Sequence, residues 1–255
     1  MDRLGMANKV ALITGGGGAI GSATARRLAQ AGASIAVVDI RADAAAAVAD
    51  ELTAQGHSAA AFTADIAEED QACALVAEVV DRFGRLDILH NNAAAGPNLN
   101  PGDLTLLDMT AQVWDRAFAV NARAPMLLSR EAVPHMIAQG GGVIVNTSSG
   151  ASQMPAADAR TAYGSSKSAL ETLTRYIAAQ YGPDNVRCNA ILPGVVLTPN
   201  MKRIFGQAQL DAMVSRTMLR RICLPEDIAA AVHFLVSDDA RQITGELLRV
   251  NGGSM

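Results

Sequence analysis

Lys9-Val10-Ala11-Leu12-Ile13-Thr14-Gly15-Gly16-Gly17-Gly18-Ala19-Ile20-Gly21 runs from an apolar, strand-like stretch through four consecutive glycines into a helical pattern. This order of strand, glycine turn and helix decides the fold. Glycine loses more backbone freedom on folding than any other residue, so four in a row between regular elements imply a use. Glycine reaches positive φ and lets main chain approach a bound pyrophosphate closely. The N-terminus of the following helix offers free N–H groups and the positive end of its dipole to the phosphates. Mononucleotide sites share such a turn, so the turn alone indicates a phosphate rather than a particular coenzyme.

The same alternation continues along the chain. Strands are expected at Lys9–Ile13, Ser34–Asp39, Ser58–Thr63, Leu86–His90, Gly142–Asn146, Val186–Leu192 and Leu247–Val250. Between them lie helical patterns at Ala19–Ala31, Ala42–Gln55, Glu68–Phe83, 105–120, 122–138 and Thr161–Tyr181, and one opening at Pro225-Glu226-Asp227. The last has proline at its first position and acids in its first turn, a combination that suits a helix start. Helical crossovers of this length between strands imply a mainly parallel sheet covered on both faces. The expected fold is α/β: a single-domain, doubly wound, Rossmann-type seven-stranded parallel sheet spanning 1–255. Ligands of such sheets bind outside the carboxyl ends of the strands.

Composition excludes other classes. The chain has 255 residues, 50% hydrophobic and 18% charged, with a formal charge of −4, which argues against disorder and against nucleic acid as a partner. No apolar run approaches the roughly 18 residues of a membrane span, so no membrane partner is expected. Met1 to Met6 carries no basic-then-apolar export pattern, and a cytoplasmic location is expected. Cys73, Cys188 and Cys223 form no metal or redox spacing, and His57, His90, His135 and His233 are scattered, so no metal site is expected.

The second strand ends at Asp39, 18 residues after Gly21. An acid there accepts hydrogen bonds from the adenosine ribose hydroxyls and repels a 2′-phosphate. It also reads as a plain helix-capping aspartate. Arg41, two residues on, is placed to reach a 2′-phosphate. The acid comes first and the glycine turn carries no basic residue, so NAD is the expected coenzyme and NADP the alternative.

Tyr163-Gly164-Ser165-Ser166-Lys167 puts a phenol and an ammonium four residues apart in a helical stretch, on one face. A free phenol, with a pKa near 10, is a poor base at neutral pH. A neighbouring ammonium favours the phenolate, as an oxidised nicotinamide does. The pair can then take or return a hydroxyl proton while hydride moves. The chain has three tyrosines, and its only lysines are Lys9, Lys167 and Lys202. Chance predicts about 0.04 such pairs at the i,i+4 spacing.

Taken in order, Thr14-Gly15 to Gly21, Asn91-Asn92-Ala93-Ala94, Asn146-Thr147-Ser148-Ser149, Tyr163-x-x-x-Lys167 and Pro193-Gly194 resemble the short-chain dehydrogenase/reductases, in their compact branch of roughly 250 residues. The resemblance reaches Ile243-Thr244-Gly245 and Val250-Asn251-Gly252-Gly253, essentially the whole chain. It implies a catalytic set of Asn121, Ser149, Tyr163 and Lys167. In that set Tyr163 is the general acid/base. Lys167 binds the nicotinamide ribose and lowers the tyrosine pKa. Ser149 holds the substrate oxygen, and Asn121 positions a water that relays protons to Lys167. The family's serine more often lies 13 residues before the tyrosine, which here is Gly150; the Asn-x-Ser-Ser pattern selects Ser149, with Ser148 as the alternative.

The resemblance also implies a cofactor cleft. It is formed by Gly15, Gly18, Ile20 and Gly21 in the turn, Asp39 and Ile40 at the ribose, and Asp65 and Ile66 at the adenine. Asn92 and Ala93 line it, and Pro193, Val196 and Thr198 lie at the carboxamide. The substrate pocket is expected between Ala94-Ala95-Gly96-Pro97, Gly150 to Met154 and a variable segment at about 199–218. Met154, Met201, Ile204, Phe205, Met213 and Met218 suit an apolar small-molecule secondary alcohol or ketone. A homotetramer or homodimer built through the helices near 105–138 and 161–181 is implied as well. Two rivals stand beside an NAD-dependent alcohol dehydrogenase/ketone reductase: an NADPH-dependent carbonyl or acyl-thioester reductase, and a non-catalytic NAD-binding protein.

Overall fold

The computed structural model describes residues 5–96, 100–155 and 160–254, apart from the side chains of 200, 202 and 204. Pro97, expected in the pocket wall, the side chain of Ile204 and the first four residues therefore lie outside the described residues. Seven strands form one sheet: β1 (Val10–Thr14), β2 (Ser34–Asp39), β3 (Ala59–Thr63), β4 (Ile88–Asn91), β5 (Gly142–Thr147), β6 (Val186–Pro193) and β7 (Leu247–Val250). Their order is β3-β2-β1-β4-β5-β6-β7, and every neighbouring pair is parallel. The helices are α1 (Ala19–Gln30), α2 (Ala42–Ala54), α3 (Glu69–Phe83), α4 (Ala111–Phe118), α5 (Ala124–Ala138), α6 (Thr161–Tyr181), α7 (Pro199–Ile204), α8 (Gln207–Ser215) and α9 (Pro225–Val236).

Strand side chains alternate between the two faces, which gives two cores. Val10 and Leu12 of β1 pack with Leu75 and Val79 of α3, Leu128 of α5 and Ile177 of α6. Ala11 and Ile13 pack on the other face with Leu28 of α1, Leu52 of α2 and Val232 of α9. Because both faces are covered, β1 has no polar residue before Thr14, and all five of its residues are buried. The chain moves outward from β1 to β3 and then returns to β4 on the other side of β1. This reversal separates the loops after β1 and β4 and opens a crevice at their carboxyl ends.

The helical region before β5 differs from expectation. Residues 105–110 do not start the helix: Thr105 Oγ1 donates to Asp108 Oδ2 at 2.5 Å, a local pairing that competes with helix, and Thr110 then caps α4. No break separates α4 from α5. A π-helical turn, Ala119–Arg123, joins them and carries Asn121. At the start of α6, Arg160 has φ 73° and caps nothing with its side chain. Asp103 supplies the cap from a distant loop, its carboxylate accepting from the N–H of Ala162 at 2.9 Å and of Tyr163 at 2.8 Å. The helix that carries the Tyr–Lys pair is thus fixed at its first turn by another segment.

Asp87, buried at the amino end of β4, accepts from Val10 N–H (2.9 Å), Arg85 (2.6 and 2.7 Å) and Lys9 Nζ (3.1 Å). Burial pushes its carboxyl up, but the bonds from Arg85, Val10 and Lys9 together outweigh this and hold it below the ordinary value. A carboxyl depressed in the folded state adds stability above its unfolded pKa of about 4, and that stability is lost as pH falls through the folded value. Asp87→Asn should therefore cost about 1–2 kcal/mol at pH 7, since Arg85 and Lys9 are partly solvated. The deficit should shrink toward pH 3 in urea titrations. An equal deficit at both pH values would contradict this.

Candidate active site

The glycine turn after β1 folds back on the start of α1. Gly15 has φ +63°, and a Cβ on Gly21 would meet the Gly15 carbonyl oxygen at 2.2 Å, so only glycine fits there. Gly18 is the N-cap of α1; no side chain caps that end and no acid sits in its first turn. The helix amides and dipole therefore face the crevice without an internal anion, and this donor set fits a pyrophosphate. Thr14 closes the floor. Its Oγ1 accepts from Asn92 N–H (3.0 Å) and Ala93 N–H (3.1 Å), and Asn92 Nδ2 donates to Thr14 O (2.9 Å). The ends of β1 and β4 are thereby locked together before any ligand arrives.

At the far end of this cleft, the Asp39 carboxylate accepts from Gly17 N–H and Arg41 N–H, each at 3.1 Å. The Arg41 guanidinium lies 3.8 Å from Asp39, with its side chain largely in solvent. Ile40 is 54% exposed beside them. Asp65 accepts from Ala67 N–H through one oxygen and from Arg116 of α4 through the other, at 3.2 and 3.3 Å. The Ile66 side chain belongs to the core, so a ligand can meet only its main chain. On the other side of the sheet, Pro193 ends β6 and Gly194 N–H donates to Val250 O at 3.1 Å. Val196 is bridged to Cys223, and Thr198 caps α7 by accepting from Met201 N–H at 3.3 Å.

Tyr163 and Lys167 lie on the first turns of α6. Lys167 is only 1% exposed, and its Nζ donates to Thr147 O at 2.7 Å. The same Nζ lies 5.7 Å from the Tyr163 ring centre. Burial lowers the Lys167 pKa to about 7, while the negative charge of Glu171 acts to raise it. The Tyr163 phenol differs from expectation: its pKa is raised, not lowered. Burial dominates, and neither a hydrogen bond with Ser149 nor the charge of Arg160 offsets it.

The two serines separate cleanly. Ser148 is buried and donates to Glu171 at 2.7 Å, whereas Ser149 Oγ accepts from Ala151 N–H at 3.2 Å and acts to lower the Tyr163 phenol. Asn121 is fully buried: its Oδ1 accepts from Ala95 N–H at 2.9 Å, and its Nδ2 donates to Ser166 Oγ at 3.0 Å. Both polar atoms of the side chain are therefore engaged by the protein. His90, which sequence gave no role, is buried with its pKa down at about 3, so it is neutral, and its Nε2 lies 2.9 Å from Thr147 Oγ1. Thr14, Asp103, Thr147 and Glu171 also escaped the sequence reading. Thr14 had a signal in its place before the glycines; Asp103 had none, since its partners are about 60 residues away.

The chain resembles known proteins over nearly its whole length. A sequence model described as enoyl-(acyl carrier protein) reductase matches residues 17–255. A probable short-chain type dehydrogenase/reductase of Bradyrhizobium diazoefficiens is 40% identical over 247 residues, covering 97% of this chain and 87% of its own. The 7alpha-hydroxysteroid dehydrogenase of Escherichia coli K12 is 38% identical over 254 residues, covering 100% of this chain and 97% of its own. A solved 7 alpha-hydroxysteroid dehydrogenase, complexed with NADH and 7-oxo glycochenodeoxycholic acid, superposes with a TM-score of 0.92 at 38% identity, over 100% of this chain and 97% of that one. With likeness of this kind from end to end, and the glycine turn and Tyr–Lys helix set at one edge of the sheet, the chain belongs to the short-chain dehydrogenase/reductase family.

Proposed function

We propose that the chain is an NAD-dependent oxidoreductase that interconverts a small, largely apolar secondary alcohol and its ketone. The observation that carries this reading is the Tyr163–Lys167 pair beside Ser149, at the sheet edge onto which the uncapped α1 N-terminus opens. Bound in that cleft, a nicotinamide supplies or accepts the hydride. The chain's own residues do the rest. Gly15, Gly18, Ile20 and Gly21 shape the turn for the pyrophosphate. Asp39 takes the adenosine ribose, with Ile40, Asp65 and Ile66 around the adenine. Asn92 and Ala93 line the cleft, and Pro193, Val196 and Thr198 meet the carboxamide. Lys167 binds the nicotinamide ribose. Ser149, rather than the Glu171-bound Ser148, holds the substrate oxygen against the Tyr163 hydroxyl, which donates or accepts the proton. A water positioned by Asn121 would meet its main chain, since its side chain is engaged.

The hydroxysteroid names of the relatives support an apolar substrate, and the 199–218 segment is our candidate for its wall. Among the described residues no helix is long and apolar enough to cross a membrane. A cytoplasmic location fits the sequence, and exposed Met126, Ile137 and Tyr176 on α5 and α6 support a homodimer or homotetramer through that face. One observation favours a second reading: exposed Arg41 is free to turn toward a 2′-phosphate, which would suit an NADPH-dependent carbonyl or acyl-thioester reductase.

Tyr163→Phe should lower kcat about 10²- to 10⁴-fold, the usual contribution of a general acid/base, and leave NADH binding by fluorescence within twofold. Near-natural turnover in that variant would overturn the mechanism. NADH should give the higher kcat/KM, and a preference for NADPH would favour the Arg41 reading. Because the Tyr163 phenol sits above its ordinary value, it is the acid form at neutral pH. Ketone reduction, which needs the phenol, should hold across neutral pH and fall on the alkaline side; alcohol oxidation, which needs the phenolate, should rise with pH. Rate profiles in both directions, with hydroxysteroids and smaller alcohols as substrates, test this; parallel profiles would count against it.

A further inference from the structure

Glu171 lies four residues after Lys167, one helical turn further along α6, and is buried. A carboxylate is rarely buried unless it is paired or well hydrogen-bonded. No lysine or arginine forms an ion pair with it among the described residues. Two hydroxyls serve it instead. Ser148 Oγ donates to Glu171 Oε1 at 2.7 Å, and Ser152 Oγ bonds the same oxygen. These serines flank Ser149. Ser152 Oγ also lies 2.6 Å from Ser149 O, so its one proton is shared between that carbonyl and the Glu171 carboxylate. Ser148 Oγ in turn lies 3.3 Å from Lys167 O.

We propose that Glu171 is a positioning residue of the catalytic set, tying the Ser149 turn through Ser148 and Ser152 to the helix of Tyr163 and Lys167 and setting its charge behind the Lys167 ammonium. This inference rests on the oxidoreductase reading above. Two consequences follow from the geometry. The distance between the Ser149 hydroxyl and the Tyr163 phenol is fixed by a strut between the turn and α6, not by the turn alone. In addition, the charge that acts on Lys167 among the described residues is that of Glu171. Tyr163 lies against Lys167 from the preceding turn, β5 offers the Thr147 carbonyl, and Glu171 sits one helical turn further along α6. Burial favours neutral lysine here, and Glu171 is the group that opposes it.

The chain has only three lysines, Lys9, Lys167 and Lys202, so lysine-selective NMR resolves Lys167 without cofactor or substrate. In Glu171→Gln the Lys167 titration midpoint should fall by on the order of one unit relative to the natural chain. An unchanged midpoint in folded Glu171→Gln would overturn the electrostatic role. Ser152→Ala keeps the charge and removes one strut, and it carries the test if Glu171→Gln does not fold. It should lower kcat about tenfold with NADH binding within twofold, the mark of a misplaced Ser149. Unchanged kcat would overturn the positioning role. Because the NMR arm reads no turnover, it stands apart from the Tyr163→Phe test: inactive-site chemistry would fail there, not here.

Discussion

The buried ammonium of Lys167 is the constraint around which the rest of this molecule is arranged. A charge taken out of water costs several kcal/mol unless fixed polar groups replace the lost hydration. Here the replacement is a carbonyl, Thr147 O, at the last residue of β5. Placing that carbonyl requires the sheet register: Asn146 opposite Asn91 on one side, and Thr147 opposite Ile191 on the other. Placing the ammonium requires α6, whose first turn depends on Asp103. The strand order, the parallel pairing and the remote cap thus converge on one hydrogen bond. Nothing local to the Tyr-x-x-x-Lys motif could make it.

The sheet divides the work between its ends. At the amino ends, Asp87 gathers Val10, Lys9 and Arg85 into a cluster that holds β1 and β4 together. At the carboxyl ends, polar groups such as Thr14 and Asn92 bond one another, and the α1 N-terminus is left without a side-chain cap. With Gly18 as its N-cap, that end forgoes about a few tenths of a kcal/mol relative to a serine or aspartate cap. A molecule can tolerate that loss where a bound anion supplies the missing acceptor.

The periodic and the local were legible in sequence. Strand runs such as Val10 to Ile13 are apolar throughout because both faces are covered, and the glycines from Gly15 to Gly18 have no other economical use. The Tyr163–Lys167 spacing was legible because helix geometry alone puts i and i+4 together. What escaped was set by contacts across long stretches of chain. Asp103 caps a helix from a distant loop, and no spacing rule links it to Tyr163. The π-helical turn at Ala119–Arg123 looks in sequence like a boundary between two helices, because an inserted residue shifts the apolar phase as a break would. Asp65 reads as a ligand-facing acid, yet one of its oxygens is held by Arg116.

The sign of the Tyr163 shift was illegible for a related reason. Counting charges along a helix predicts an ion pair, but burial acts on both members and disfavours both charges: the phenol rises and the ammonium falls. Left to burial, the proton stays on tyrosine and lysine tends toward neutrality, the reverse of the phenolate–ammonium state that alcohol oxidation uses. Two charges in the protein oppose this drift from opposite sides. Arg160, held at a left-handed backbone position, lowers the phenol, and Glu171 raises the lysine. Each acts on one member only, so the balance between acid and base forms of the pair depends on residues outside the motif. Relatives that share Tyr-x-x-x-Lys but differ at these two positions should therefore differ in the pH at which oxidation overtakes reduction, with the motif itself unchanged.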